Sequence, residues 1–93
     1  MILSFRDKRT RDFADGKRVK AFDGIRRAAE MKLDQVDAAT SIRDLVLPGN
    51  RLEALKGARK GQHSIRINDQ WRVCFEWRQG APGPSDVEIV DYH

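Results

Sequence analysis

Between His63 and Trp77 the chain alternates apolar and polar residues in two consecutive runs, and few folds accommodate that pattern. His63, Ile65 and Ile67 fall on one side of an extended segment, with Ser64, Arg66 and Asn68 on the other. This period of two marks a strand with one buried face. Asn68-Asp69-Gln70 supplies turn chemistry. Trp71, Val73, Phe75 and Trp77 then alternate with Arg72, Cys74 and Glu76, so a second strand is predicted to return antiparallel with an aromatic core side. A third strand is predicted over residues 86 to 92, with Val87 and Ile89 as its apolar pair, beyond a Gly- and Pro-containing loop from Gly80 to Ser85. Alternation places Arg66, Arg72 and Tyr92 on the less apolar face. Two guanidiniums and a phenol there can converge on a phosphodiester. Asp91 and His93 point the other way, unless the strand end twists.

The N-terminal half reads as helical. Met1 to Ser4 suits an edge strand, and Phe5 to Ala14 a short amphipathic helix closed by Gly16. A longer helix is predicted over residues 18 to 37. There Val19, Phe22, Ile25, Ala29, Leu33 and Val36 recur at spacings of three and four, a stripe to lay on the sheet. Thr40-Ser41 can cap a short turn through Leu45, Pro48-Gly49-Asn50 ends it, and Arg51 to Leu55 is extended. Helices followed by a mainly antiparallel sheet define an α+β fold: two N-terminal helices packed on a twisted sheet of about four to five strands.

At 93 residues the chain builds one domain, residues 1–93, around one core. Its net charge of +4 is unevenly distributed: residues 6 to 27 hold nine Lys/Arg against four acids, and residues 51 to 78 hold seven against three. Residues 28 to 50 and 79 to 93 are net acidic. Two basic blocks suit a polyanion such as RNA, whose neutralised phosphates release counterions; a solvated helix face is the plain alternative. The lone Cys74, inside a strand, offers neither disulfide nor metal spacing and is expected to be buried as a small hydrophobe. No signal peptide or transmembrane run is recognisable, so a cytoplasmic location is the expectation.

The ordered set LKG at Leu55 to Gly57, Arg59, Gly61, HSIRIN, WRVCF and the terminal Asp91-Tyr92-His93, together with the opening MILSF, resembles the HigB toxins, the plasmid-maintenance killer group of the RelE/ParE superfamily. The likeness runs the length of the chain. It implies a RelE-like fold, a cognate HigA-like antitoxin with a helix-turn-helix domain, and cutting of mRNA in the decoding site of the 70S ribosome. Operator DNA would be reached only through the antitoxin, and neither membrane, metal nor cofactor is implied. Lys56, Arg72, Asp91, Tyr92 and His93 match positions the group uses for RNA binding and cleavage. Arg59, Lys60, Arg66, Gln70, Arg26 and Arg27 are the further RNA-binding candidates. Several members carry His in a Leu-His-Pro-Leu-Lys-Gly motif where this chain has Glu53, so either Glu53 takes over as proton acceptor or His93 carries more of the chemistry. Gln70 stands where some members have Asn.

The chemistry expected is attack by the RNA 2′-hydroxyl on the adjacent phosphorus, leaving a cyclic phosphate and a 5′-hydroxyl. Arg72 and Lys56 would stabilise the phosphorane charge, Tyr92 would orient the hydroxyl or stack on a base, and His93, steadied by Asp91, would move a proton. Two alternatives stay open: a non-catalytic toxin of the ParE type that inhibits DNA gyrase by contact, and a degenerate member that only binds antitoxin. Without the family pattern, Arg72 reads equally well as a ladder residue pairing with Glu76 or Glu88.

Overall fold

The computed structural model describes residues 1–91. Tyr92 and His93 lie outside the described residues. Helix α1 spans Lys8–Ala14 and α2 spans Arg26–Ala38, with a 3-10 turn over Lys20–Ile25 between them. Four strands follow: β1 Glu53–Ala54, β2 Gln62–Arg66, β3 Trp71–Glu76 and β4 Ser85–Asp91. They form one sheet in chain order, every neighbouring pair antiparallel, so the expected α+β architecture is present.

Helix boundaries depart from the sequence reading for local reasons. Asp7 accepts the Thr10 amide at 2.9 Å and caps α1, so the helix starts at Lys8 and not at Phe5. Phe5 instead makes a parallel bridge with Val87. The expected edge strand at the N-terminus is reduced to this bridge and its flanking bonds, Leu3 N–H to the Pro84 carbonyl and Val87 N–H to the Ser4 carbonyl. The long helix expected over residues 18 to 37 opens with a 3-10 turn of six residues before α2 begins at Arg26. Val19, Phe22 and Ile25 are spaced by three, the repeat that a 3-10 turn stacks on one side, and Gly24 weakens an α-helix at that point. Phe22 and Ile25 are buried, so the apolar stripe is satisfied in this geometry.

The stripe of α2, with Ala29, Leu33 and Val36 buried, covers one face of the sheet. That face presents Ile65, Val73, Phe75, Val87 and Ile89, all fully buried. Aromatic edges link the layers: Phe13 meets Phe22 at 5.4 Å, and Phe22 meets Trp71 at 5.7 Å, both nearly perpendicular, the arrangement ring quadrupoles favour. The outer edge of β4 is closed as well, since Ile89 N–H donates to the Thr10 hydroxyl at 3.0 Å. A strand edge fastened by a helix and the N-terminal segment offers little template for stray pairing.

One polar cluster sits inside this core. Lys32 of α2, almost fully buried, donates to Asn50 Oδ1 at 2.5 Å. The Asn50 amide nitrogen in turn donates to Gln35 Oε1 at 3.0 Å and the Leu45 carbonyl at 3.1 Å. Asn50 also accepts the Arg66 N–H through its backbone at 2.6 Å, so it ties α2, the segment after it and β2 together. Asn50→Ala leaves a buried ammonium without its oxygen and is expected to cost about 2 to 3 kcal/mol, read from the urea midpoint at unchanged m-value.

Candidate active site

The face of the sheet turned away from the helices carries the polar set. The register places Arg66 opposite Arg72 and Arg72 opposite Val90, while Glu53, Ser64, Cys74 and Glu88 form the next row across the four strands. Arg66 and Arg72 therefore share a face, as the alternation predicted. Like charges directly opposite one another cost stability, and each has an acid at hand: Arg66 pairs with Asp69, and the Arg72 guanidinium lies 3.8 Å from Glu53 Oε1.

Arg72 is held, not merely exposed. Its Nε donates to Ser64 Oγ at 2.8 Å and its Nη2 to the Arg51 carbonyl at 2.7 Å, and only 14% of its side chain is accessible. Arg51 provides that carbonyl from a left-handed backbone, φ 45°, a conformation that costs a non-glycine residue energy and is frequent at functional sites. Arg51 follows Asn50 directly, so the buried Lys32–Asn50 cluster fixes the carbonyl that orients Arg72. The expected pairing of Arg72 with Glu76 or Glu88 is not formed, and those acids pair with Arg78 and Arg59; Glu53 approaches Arg72 instead, because β1 brings that carboxylate diagonally across β2.

The remaining candidates separate into held and outward groups. Gln70 donates to Asp91 Oδ2 at 2.8 Å, which joins the hairpin turn to the end of β4. Asp91 lies opposite Trp71, on the other face from Arg72. Arg59, delivered by a short 3-10 turn at Gly57–Arg59, turns inward to Glu88 Oε1 at 3.1 Å and Gln62 Oε1 at 3.0 Å. Its charge is already matched, so it braces the loop across the sheet. Lys56 and Lys60 are exposed and have no ion-pair partner among the described residues. Gly57 and Gly61, at φ 65° and 94°, permit the tight turns that hold these two lysines out. Arg26 and Arg27 line an open cleft of about 680 Å3 whose far side is Asn68 of the hairpin turn; Arg26 also pairs with Glu30 at 3.2 Å. The first basic block thus approaches the hairpin turn from the helix layer.

Cys74 is fully buried, and burial pushes its thiol up, the environment of an inert cysteine. Sequence reasoning missed Ser64 and Arg51 as partners of Arg72. Ser64 was recoverable: it alternates with Arg66, and the hairpin register sets it diagonally next to Arg72. Arg51 carried no signal, since its part is played by a backbone carbonyl.

Comparison with known proteins bears on the family of the chain. A family model for HigB-like toxins, described as the RelE-like toxin of the type II toxin–antitoxin system HigB, matches residues 3–93. Toxin HigB-1 of Vibrio cholerae serotype O1 is 43% identical over 84 residues, covering 87% of this chain and 88% of that protein. Endoribonuclease HigB of Proteus vulgaris is 36% identical over 62 residues, 67% of this chain and 65% of that protein. A toxin of a type II system implies a cognate antitoxin as its partner. From the match over nearly its whole length, the chain belongs to the HigB-like toxin family.

Proposed function

We propose that the chain is a ribosome-dependent mRNA endonuclease that needs no metal ion. The observation that carries this reading is the held guanidinium of Arg72, on the face of the sheet turned away from the helices, beside Glu53 and opposite Arg66. The name of the Proteus vulgaris relative, an endoribonuclease, supports it. In the proposed step the RNA 2′-oxygen attacks phosphorus and loses its proton to a base. The 5′-oxygen leaves and takes up a proton, giving a cyclic phosphate and a 5′-hydroxyl end. Arg72, oriented before substrate arrives, offers planar donors to the phosphorane oxygens at little reorganisation cost. Lys56 adds a point charge. Glu53 is near enough to act as base, and His93 is the second proton carrier, with Tyr92 aligning the nucleotide and Asp91 orienting the imidazole. Lys60, Arg66 and Gln70 are assigned to the RNA strand, and Arg59 to the loop that presents it.

Few side chains in this set are general bases, so alignment of the scissile phosphate is assigned to the ribosome. Arg26 and Arg27, which share their cleft with Asp23 and Glu30, are assigned to ribosomal RNA. No described helix is long and apolar enough to cross a membrane, and the site of action is taken to be the cytoplasm, where ribosomes are. Purified chain added to translating ribosomes is expected to produce mapped mRNA ends carrying 5′-hydroxyls, with gyrase supercoiling unaffected in the control. Efficient cutting of the same mRNA free in solution at equal concentration would overturn ribosome dependence. Charge reversal at Arg26 and Arg27 is expected to weaken ribosome binding and to flatten its salt dependence by about two phosphate contacts. An unchanged salt slope would return that block to a solvated helix face.

A further inference from the structure

Arg51 serves Arg72 through its backbone carbonyl, at 2.7 Å from Nη2, and its own guanidinium has no such task. The residue is exposed, and no hydrogen bond or ion pair engages its side chain among the described residues. The neighbouring arginines differ. Arg59 is matched by Glu88 and Arg66 by Asp69, and Arg72 has Glu53 at 3.8 Å. Arg51 therefore adds an unmatched positive charge next to a second guanidinium, and like charges at close range repel. An anion placed between them relieves that repulsion.

The backbone of Arg51 points the same way. Among the described residues, five positions of positive φ are filled by glycine, at 16, 49, 57, 61 and 80. Asp86, at φ 52°, is of a type whose short polar side chain tolerates this region. Arg51, at φ 45°, is not, so its long side chain is carried at an energetic cost that glycine would avoid. The position itself is fixed from outside. Asn50, one residue earlier, is tied by its N–H to the Leu47 carbonyl at 3.1 Å, by its carbonyl to the Arg66 N–H, and by its side chain to Lys32, Gln35 and the Leu45 carbonyl. The Arg51 side chain is thus not needed to hold its own backbone in place.

We infer that the Arg51 guanidinium is a further substrate-binding group, which holds an mRNA phosphate adjacent to the one Arg72 engages. The shared carbonyl contact keeps the two side chains close, so two neighbouring phosphates of one strand can be gripped together. Arg72 acts on the reacting phosphoryl group, whereas Arg51 contributes charge to a phosphate that does not react, and holds the strand in register. This inference rests on the endonuclease reading and adds a residue to its substrate contacts.

The test is Arg51→Gly, with Arg51→Lys as the conservative variant. Glycine takes φ 45° without strain and still supplies the carbonyl, so the melting temperature is expected to hold or rise. Arg51→Asn, which also tolerates the left-handed region, repeats the test without relying on glycine. On ribosomes programmed with mRNA, the toxin concentration for half-maximal cleavage is expected to rise about tenfold in Arg51→Gly, as for loss of one charged hydrogen bond. The salt dependence of binding should flatten by about 0.7 in logarithmic slope, one single-strand phosphate. Arg51→Lys is expected to stay within about threefold of wild type, because a phosphate that does not react needs a point charge more than a planar fork. Half-maximal concentration and salt slope both unchanged in folded Arg51→Gly, while the wild type cuts, overturn the inference and leave the endonuclease reading intact. An equal loss of binding to ribosomes without mRNA also overturns it, since the phosphate then belongs to ribosomal RNA. Binding is measured in parallel on a message blocked by 2′-O-methyl groups in the decoding site. A wild type that binds there but cuts no unmodified message, with binding still weakened by Arg51→Gly, keeps the contact and removes the endonuclease reading.

Discussion

Arg72→Ala is expected to lower ribosome-dependent mRNA cleavage by about 100- to 1,000-fold, the loss typical when a preorganised donor to a developing oxyanion is removed. Growth inhibition in cells disappears with it. The substitution also leaves Ser64 Oγ and the Arg51 carbonyl without their donor, so a stability cost of about 1 to 2 kcal/mol accompanies the loss of activity. That is too little to unfold a domain whose total stability is about 5 to 15 kcal/mol. Arg72→Lys restores little, because one ammonium cannot serve Ser64, Arg51 and a phosphoryl oxygen in the geometry of a planar fork. Removal of Tyr92 and His93 is expected to abolish toxicity in the same way. Cleavage by Arg72→Ala within threefold of wild type would dismiss the guanidinium from the chemistry, and equal toxicity of the truncated chain would do the same for the two terminal residues.

Phe75→Ala produces the largest expected loss of stability, about 3 to 5 kcal/mol. Phe75 is fully buried at the centre of β3. Its ring stacks on His63 with centroids 6.3 Å apart, and it belongs to the cluster shared by α2 and the sheet. In a chain of this length each kcal/mol moves the melting temperature by about 4 to 8 °C, so the variant melts at least about 12 °C lower or is not recovered folded. Phe75→Leu keeps most of the volume, remains measurable and is expected to lose less than half as much. A Phe75→Ala shift of only 2 or 3 °C would show that the core collapses around the vacancy. Toxicity in this variant tracks the folded fraction, in contrast to Arg72→Ala, which stays folded and inactive.

The strands were legible because their signal is local. Alternation from His63 to Trp77 places Ile65, Val73 and Phe75 on one face, and all three belong to the core beneath the helices. The same alternation puts Arg66 beside Arg72 without any knowledge of the helices, since residues of equal parity on paired strands must share a side. The shape of residues 18 to 25 was less legible. A spacing of three fits α and 3-10 geometry equally, and packing of Phe22 between Phe13 and Trp71 decided it.

The sequence by itself determined the α+β order, the apolar stripe and face and the basic blocks, because each is written in composition or in a period of a few residues, and its ordered motifs carried the resemblance to the family. Only the tertiary structure decided what holds Arg72. Ser64, Arg51 and Glu53 reach that guanidinium from two other segments, one of them through a backbone carbonyl set by a left-handed residue, and the burial of Lys32 against Asn50 fixes that segment from behind. It also decided that Arg59 looks inward while Lys56 and Lys60 look out. These arrangements depend on contacts between residues far apart in the chain, and no local period encodes them.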